Sequence, residues 1–98
     1  MRNFDLIYDA SNKSYEGLQG ILGDLFTLIQ EDPTNENYKM LFEKVGYVAQ
    51  STVDTQLELA EAYAPDEDKE VLIGKLEDRA NSLDNSLRET TATFTQTR

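Results

Sequence analysis

The stretch Phe4–Ile29, FDLIYDASNKSYEGLQGILGDLFTLI, carries one continuous stripe at helical spacing. Successive members of the stripe lie alternately four and three residues apart: Phe4, Tyr8, Ser11, Tyr15, Leu18, Leu22, Leu25 and Ile29. Because an α-helix has 3.6 residues per turn, residues three and four apart return to the same face. The spacing therefore predicts a helix over residues 3–31 that buries this stripe against the rest of the chain.

Two proline-marked breaks divide the remaining sequence, one at Asp32-Pro33 and one at Ala64-Pro65. Proline disfavours helix in the residue before it and suits the first turn of a following helix. We expect helices over residues 34–64 and 66–92. The stripe predicted for the second helix is Tyr38, Leu41, Val45, Val48, Thr52, Thr55, Leu59 and Ala62. The stripe predicted for the third is Ile73, Leu76, Ala80, Leu83, Leu87, Thr90 and Phe94.

Three stripes joined by short breaks predict an all-α fold, an elongated antiparallel three-helix bundle with coiled-coil-like packing in a single domain, 1–98. The alternative is a four-helix bundle, formed by a break near Ser11 or by dimerisation. Gly17, Gly20 and Gly23 interrupt the first helical pattern, either to let another helix approach closely or to provide a bend. The threonine-rich end of the chain is expected to fray beyond residue 92, with Phe94 as its anchor.

Composition excludes several chemistries. The 98 residues include no Cys and no His, which removes thiolate nucleophiles, the commonest general base and the commonest transition-metal ligands. We therefore expect a non-enzymatic protein without a cofactor or metal. With 19 acidic and 9 basic residues, the net charge of -10 would repel nucleic acids and anionic membranes. The first residues contain no long apolar run, so the expected location is the cytoplasm.

An excess of apolar residues near the first break points to a surface for another protein. The first helix is apolar around most of its circumference there, and Phe42 widens the second helix at the same level. Exposed apolar patches typically mark interaction sites. The candidate apolar contacts are Ile21, Phe26, Leu28 and Phe42. They suggest an adaptor, chaperone or assembly subunit that binds another protein or a second copy of itself.

Acidic residues concentrated toward the second break support an alternative. They are Asp54, Glu58, Glu61, Asp66, Glu67 and Asp68. Such a surface would attract a basic partner. In this interpretation the protein is an acidic inhibitor or nucleic-acid mimic, encoded by a virus or mobile element, that blocks a basic nucleic-acid-binding protein. Carboxylates in the first turn of a helix are also stabilised by the helix dipole without any partner.

Overall fold

The computed structural model describes residues 3–96 and folds them into three α-helices. They are α1 (Asn3–Glu31), α2 (Glu36–Tyr63) and α3 (Asp66–Gln96). The predicted all-α three-helix bundle is confirmed. α1 runs without interruption, so the alternative of a break near Ser11 is wrong. The Ser11 hydroxyl instead donates a hydrogen bond to the Tyr8 carbonyl within the helix, at 2.6 Å.

Polar groups fix the two turns. Asn35 is the N-cap of α2, and its side-chain oxygen accepts hydrogen bonds from the amides of Asn37 and Tyr38 at 3.0 and 3.2 Å. α2 therefore begins at Glu36 and not at residue 34. At the second turn, the Pro65 carbonyl accepts the amides of residues 68 and 69, both at 2.9 Å, which starts α3 directly after the proline.

α2 lies between the other two helices and packs against both. In the described part of the chain the backbones of α1 and α3 stay farther apart, and these helices meet through long side chains. Arg79 of α3 reaches Asn12 of α1, and Phe26 of α1 meets Phe94 of α3. The described backbone measures 50 × 20 × 14 Å, which confirms an elongated bundle.

The stripes predicted for α1 and α3 face the core. In α1 the buried side chains are Leu22, Leu25 and Ile29, and in α3 the stripe members Leu76, Leu83 and Phe94 are buried. The remaining stripe members of both helices are half-buried. Hydrophobic periodicity was sufficient for these two helices because each has one wide apolar face.

The stripe predicted for α2 is wrong in half of its members: Leu41, Val48, Thr55 and Ala62 are exposed, whereas Tyr38, Val45, Thr52 and Leu59 are half-buried. The buried side chains of α2 are Phe42, Ala49, Val53, Gln56 and Ala60, together with Gly46. Two members of the predicted stripe, Leu41 and Val48, are 45% and 48% exposed. The buried face of α2 combines the small residues Gly46, Ala49 and Ala60 with the larger Phe42, Val53 and Gln56. At the level of Thr52 and Thr55, the residues Val53 and Gln56 are fully buried.

The glycines predicted to admit a close neighbour do not do so. No atom of a neighbouring element lies within 4 Å of a Cβ built at Gly17, Gly20 or Gly23. Gly46 is the glycine that packs closely against another helix, since a Cβ added there would lie 3.0 Å from a methyl carbon of Leu87. This contact fixes the approach of α3 to α2.

α3 continues to Gln96, beyond the predicted end at residue 92. Thr90 and Thr93 satisfy their hydroxyls within the helix by donating to carbonyls four residues earlier, at 2.8 and 3.0 Å. Phe94 packs edge-on against Phe42, with ring centroids 5.3 Å apart, and so anchors the last turns. Residues 97–98 of the predicted frayed tail lie outside the described residues.

Candidate interaction surface

A second series, uncharged and mostly apolar, runs along the outside of α1 and α2. It recurs every seven residues on each helix, and all eight members are solvent-exposed; we call it the outer seam: Ile7, Ser14, Ile21, Leu28, Leu41, Val48, Thr55 and Ala62. A spacing of seven residues keeps them in one row along each helix. None of the eight carries a charge, although 29% of the chain is charged.

The outer seam alternates with residues that point into the bundle. On α1 the intervening positions are Ser11, Leu18 and Leu25, which are half-buried or buried. On α2 the intervening positions are Tyr38, Val45, Thr52 and Leu59, all half-buried. Each helix therefore carries a heptad pattern of which only one half is used inside the three-helix bundle. The other half faces solvent.

The two rows of the outer seam lie side by side. The Gln56 amide nitrogen donates to the Ser11 hydroxyl at 2.9 Å, which sets these two residues opposite each other. Because α1 and α2 run antiparallel, that register brings Leu28 close to the level of Leu41. It likewise brings Ile21 within about half a helical turn of Val48. The exposed side chains thus border one shallow groove between the two helices.

The groove deepens at the end of the bundle near the second turn. A cavity of about 520 Å³ lies there between α1 and α2. Its lining is Asn3, Phe4, Ile7, Leu59, Tyr63 and Pro65. Tyr63 is 71% exposed, so its ring stands at the rim with a wide face in solvent. The cavity extends the uncharged surface to the end of the rod.

The structure divides the apolar residues predicted to contact a partner. Ile21 and Leu28 are exposed and belong to the outer seam. Phe26 is half-buried on the side of α1 that faces α3, with its ring 6.2 Å from that of Phe94. Phe42 is only 4% exposed and lies in the core, so the prediction that it contacts a partner is wrong.

Sequence reasoning missed the α2 half of the surface. Leu41 and Val48 were assigned to the core because they form the more hydrophobic of two stripes on α2. The signal that could have separated the stripes is the row of small residues at Gly46, Ala49 and Ala60. A central helix with two close neighbours favours small side chains at some of its contacts, and these three residues share the buried face with Phe42 and Gln56.

The predicted acidic residues are all exposed: Asp54, Glu58, Glu61, Asp66, Glu67 and Asp68. Asp54 borders a groove between α2 and α3 together with Gln50 and Asp84. The Gln50 side chain donates to the Asp84 carboxylate across that groove, at 2.7 Å. The acidic surface therefore follows the α3 side of α2, whereas the outer seam follows the α1 side.

A buried polar layer crosses the bundle nearer to the second turn than to the first. Gln56 is fully buried, and its amide nitrogen also donates to the Asn12 side-chain oxygen at 2.8 Å. The Arg79 guanidinium donates to the Gln56 and Asn12 side-chain oxygens at 3.0 and 2.9 Å and stacks over the Tyr15 ring, 4.6 Å from its centroid. Among the described residues no buried side-chain polar atom lacks a partner. The layer holds all three helices in one register.

Comparison of the chain with known protein families, characterised proteins and solved structures returned no match. Within residues 3–96, no helix combines the length and apolar character that a membrane span requires. Function therefore has to be inferred from the surfaces of the molecule itself.

Proposed function

We propose that the protein is a non-enzymatic protein–protein interaction module of the cytoplasm, an adaptor, chaperone or assembly subunit that docks a partner helix on its outer seam. The observation that carries this proposal is the unused half of the heptad pattern on α1 and α2. Ile21, Leu28, Leu41 and Val48 are each between 37% and 48% exposed, in a row of uncharged residues on each of the two helices. Apolar faces of this kind typically dock amphipathic helices.

A fourth helix in the groove would complete the packing. Two antiparallel helices with exposed heptad positions present the holes into which the apolar side chains of another helix fit. Fully burying a Leu, Ile or Val side chain stabilises by about 1.5–3 kcal/mol. The four central side chains keep 37–48% of their surface exposed, so burying this remainder makes about 1 kcal/mol available from each.

Charge outside the seam shapes the choice of partner. The net charge of -10 lies elsewhere on the surface, including the acidic residues on the far side of α2. A partner helix with a Leu- or Ile-rich stripe would bind the seam, and basic residues flanking that stripe would speed its association. Apolar docking of this kind is insensitive to salt, while the steering contribution weakens as salt rises.

The experiment is affinity capture from a lysate of the source organism with three versions of the tagged protein. They are the wild type, the variant Ile21→Glu and the control Val71→Glu. Val71 is 64% exposed on α3 and lies away from the seam, so both variants add one charge to an exposed aliphatic position. We expect one partner to be retained at high salt by the wild type and the control and lost from Ile21→Glu.

Far-UV circular dichroism of the three proteins checks that each is folded. Equal capture by Ile21→Glu and the wild type would refute docking on the seam. The same comparison with Val48→Glu tests the α2 half of the surface independently of α1.

The acidic inhibitor remains a second candidate, supported by the exposure of every predicted acidic contact. Glu58 and Glu61 lie one turn apart on α2, where a basic nucleic-acid-binding protein could reach both. The double variant Glu58→Lys with Glu61→Lys should then lose a partner that elutes at moderate salt. Retention of that partner by the double variant would reject the acidic surface as the binding site.

A further inference from the structure

We infer that the occupant of the outer seam is a second copy of this chain, in a two-fold symmetric dimer. This inference rests on the proposed function, because it names the partner of the same surface. Three properties of the seam favour self-pairing: its symmetry, its charge and its area.

The seam is self-complementary in form. A two-fold interface brings the same patch of both subunits together. Here the patch is two antiparallel rows with the same seven-residue spacing, Ile7 to Leu28 on α1 and Leu41 to Ala62 on α2. A second copy therefore presents two rows with the matching period, and α1 and α2 of both copies form a central four-helix layer. The half-used heptads are then complete on all four helices.

Charge distribution also favours a second copy. Two chains of net charge -10 repel each other wherever their acidic surfaces meet. The eight residues of the outer seam are uncharged, as are the residues between its members on the inner side. The flank of the seam carries charges of both signs, Asp24 and Glu58 together with Lys44, so a contact centred on the seam does not bring two uniformly negative surfaces together.

The area is sufficient for a stable dimer. α1 has 29 residues and α2 has 28. At about 1.5 Å per residue and about 10 Å of helix diameter, the face they share measures roughly 43 by 20 Å. This corresponds to roughly 800 Å² per subunit, which matches the standard size of specific protein–protein interfaces. Leu28, Leu41, Ile21 and Val48 would form the apolar centre of that interface.

The test is sedimentation velocity of the purified full chain from low micromolar to near-millimolar concentration, at high salt to screen the net charge. The proteins compared are the wild type, Ile21→Glu, Val48→Glu and the control Val71→Glu. We expect the wild type and the control to form a dimer. Ile21→Glu and Val48→Glu should each raise the dimer dissociation constant by about a hundredfold or more, since every substitution occurs twice in the interface.

The outcomes separate this inference from the proposed function. A wild type that stays monomeric at every concentration overturns self-pairing, while a foreign partner lost only from Ile21→Glu would still support docking on the seam. A dimer that forms equally well in all four proteins overturns the seam as its interface. If Val71→Glu weakens the dimer as much as Ile21→Glu and Val48→Glu do, the weakening comes from the added charge and not from the seam, and the inference is overturned.

Discussion

Replacing Gln56 by leucine tests whether the buried polar layer stabilises the bundle. Gln56 is fully buried and makes three side-chain hydrogen bonds, to Ser11, Asn12 and Arg79, at 2.9, 2.8 and 3.0 Å. Leucine nearly preserves the volume but makes none of them. A typical hydrogen bond contributes about 1 kcal/mol net, and one to a charged group about 1.5–3 kcal/mol.

The sum for Gln56 is about 4 kcal/mol, and two effects reduce it. Arg79 is half-buried and keeps its bond to Asn12, and a buried leucine gains free energy from leaving water. We expect Gln56→Leu to lower the free energy of unfolding by about 2 kcal/mol. For a domain of this size that corresponds to a fall in Tm of about 8–16 °C.

The assay is thermal and urea unfolding followed by far-UV circular dichroism. The matched control is Gln19→Leu, because Gln19 is exposed and its hydrogen bond to the Tyr15 hydroxyl, at 2.6 Å, lies in solvent. The control should stay within about 0.5 kcal/mol of the wild type. If Gln56→Leu unfolds at the same urea concentration as Gln19→Leu, the polar layer contributes no net stability and the reasoning is refuted.

Two further predictions concern the helices themselves. Gly20→Ala should stabilise α1 by about 0.5–1 kcal/mol, because the added Cβ meets open space. Gly46→Ala should stabilise less or destabilise, because its Cβ would lie 3.0 Å from Leu87. The urea midpoints of the two variants measure the difference, and an equal gain in stability at both sites would contradict this prediction. Asn35→Ala should lower the free energy of unfolding by about 1 kcal/mol, because it removes the N-cap of α2. Asn35→Ser keeps a capping oxygen and should retain most of that stability in the same urea assay. Equal stability of the alanine and serine variants would show that the loss does not come from the cap.

The outer helices could be predicted closely because each presents one wide apolar face. The stripe of α1 from Phe4 to Ile29 faces the core, and so do Leu76, Leu83 and Phe94 of α3. The turns could also be located, since proline restricts the residue before it whatever the tertiary context. The cap at Asn35 shifts the start of α2 by two residues, a detail that depends on local side-chain hydrogen bonds.

The candidate surface could be predicted only in part. Ile21 and Leu28 were identified because the first helix has more apolar residues than its own stripe needs. Leu41 and Val48 were not, because periodicity on α2 fits two stripes and hydrophobicity alone selects the larger side chains. Phe42 is predicted to lie on the surface because it falls next to that stripe and not on it, although it is only 4% exposed and lies in the core.

What the sequence determined by itself is the number of helices, their order and the inward faces of α1 and α3, because these follow from local periodicity and from proline. Only the tertiary structure decided which face of α2 is buried. The buried face of α2 is the one whose side chains fit both neighbours: Gly46 admits Leu87 of α3, and Phe42 packs against Phe94. Leu41 and Val48 remain outside this face and form the α2 half of the outer seam.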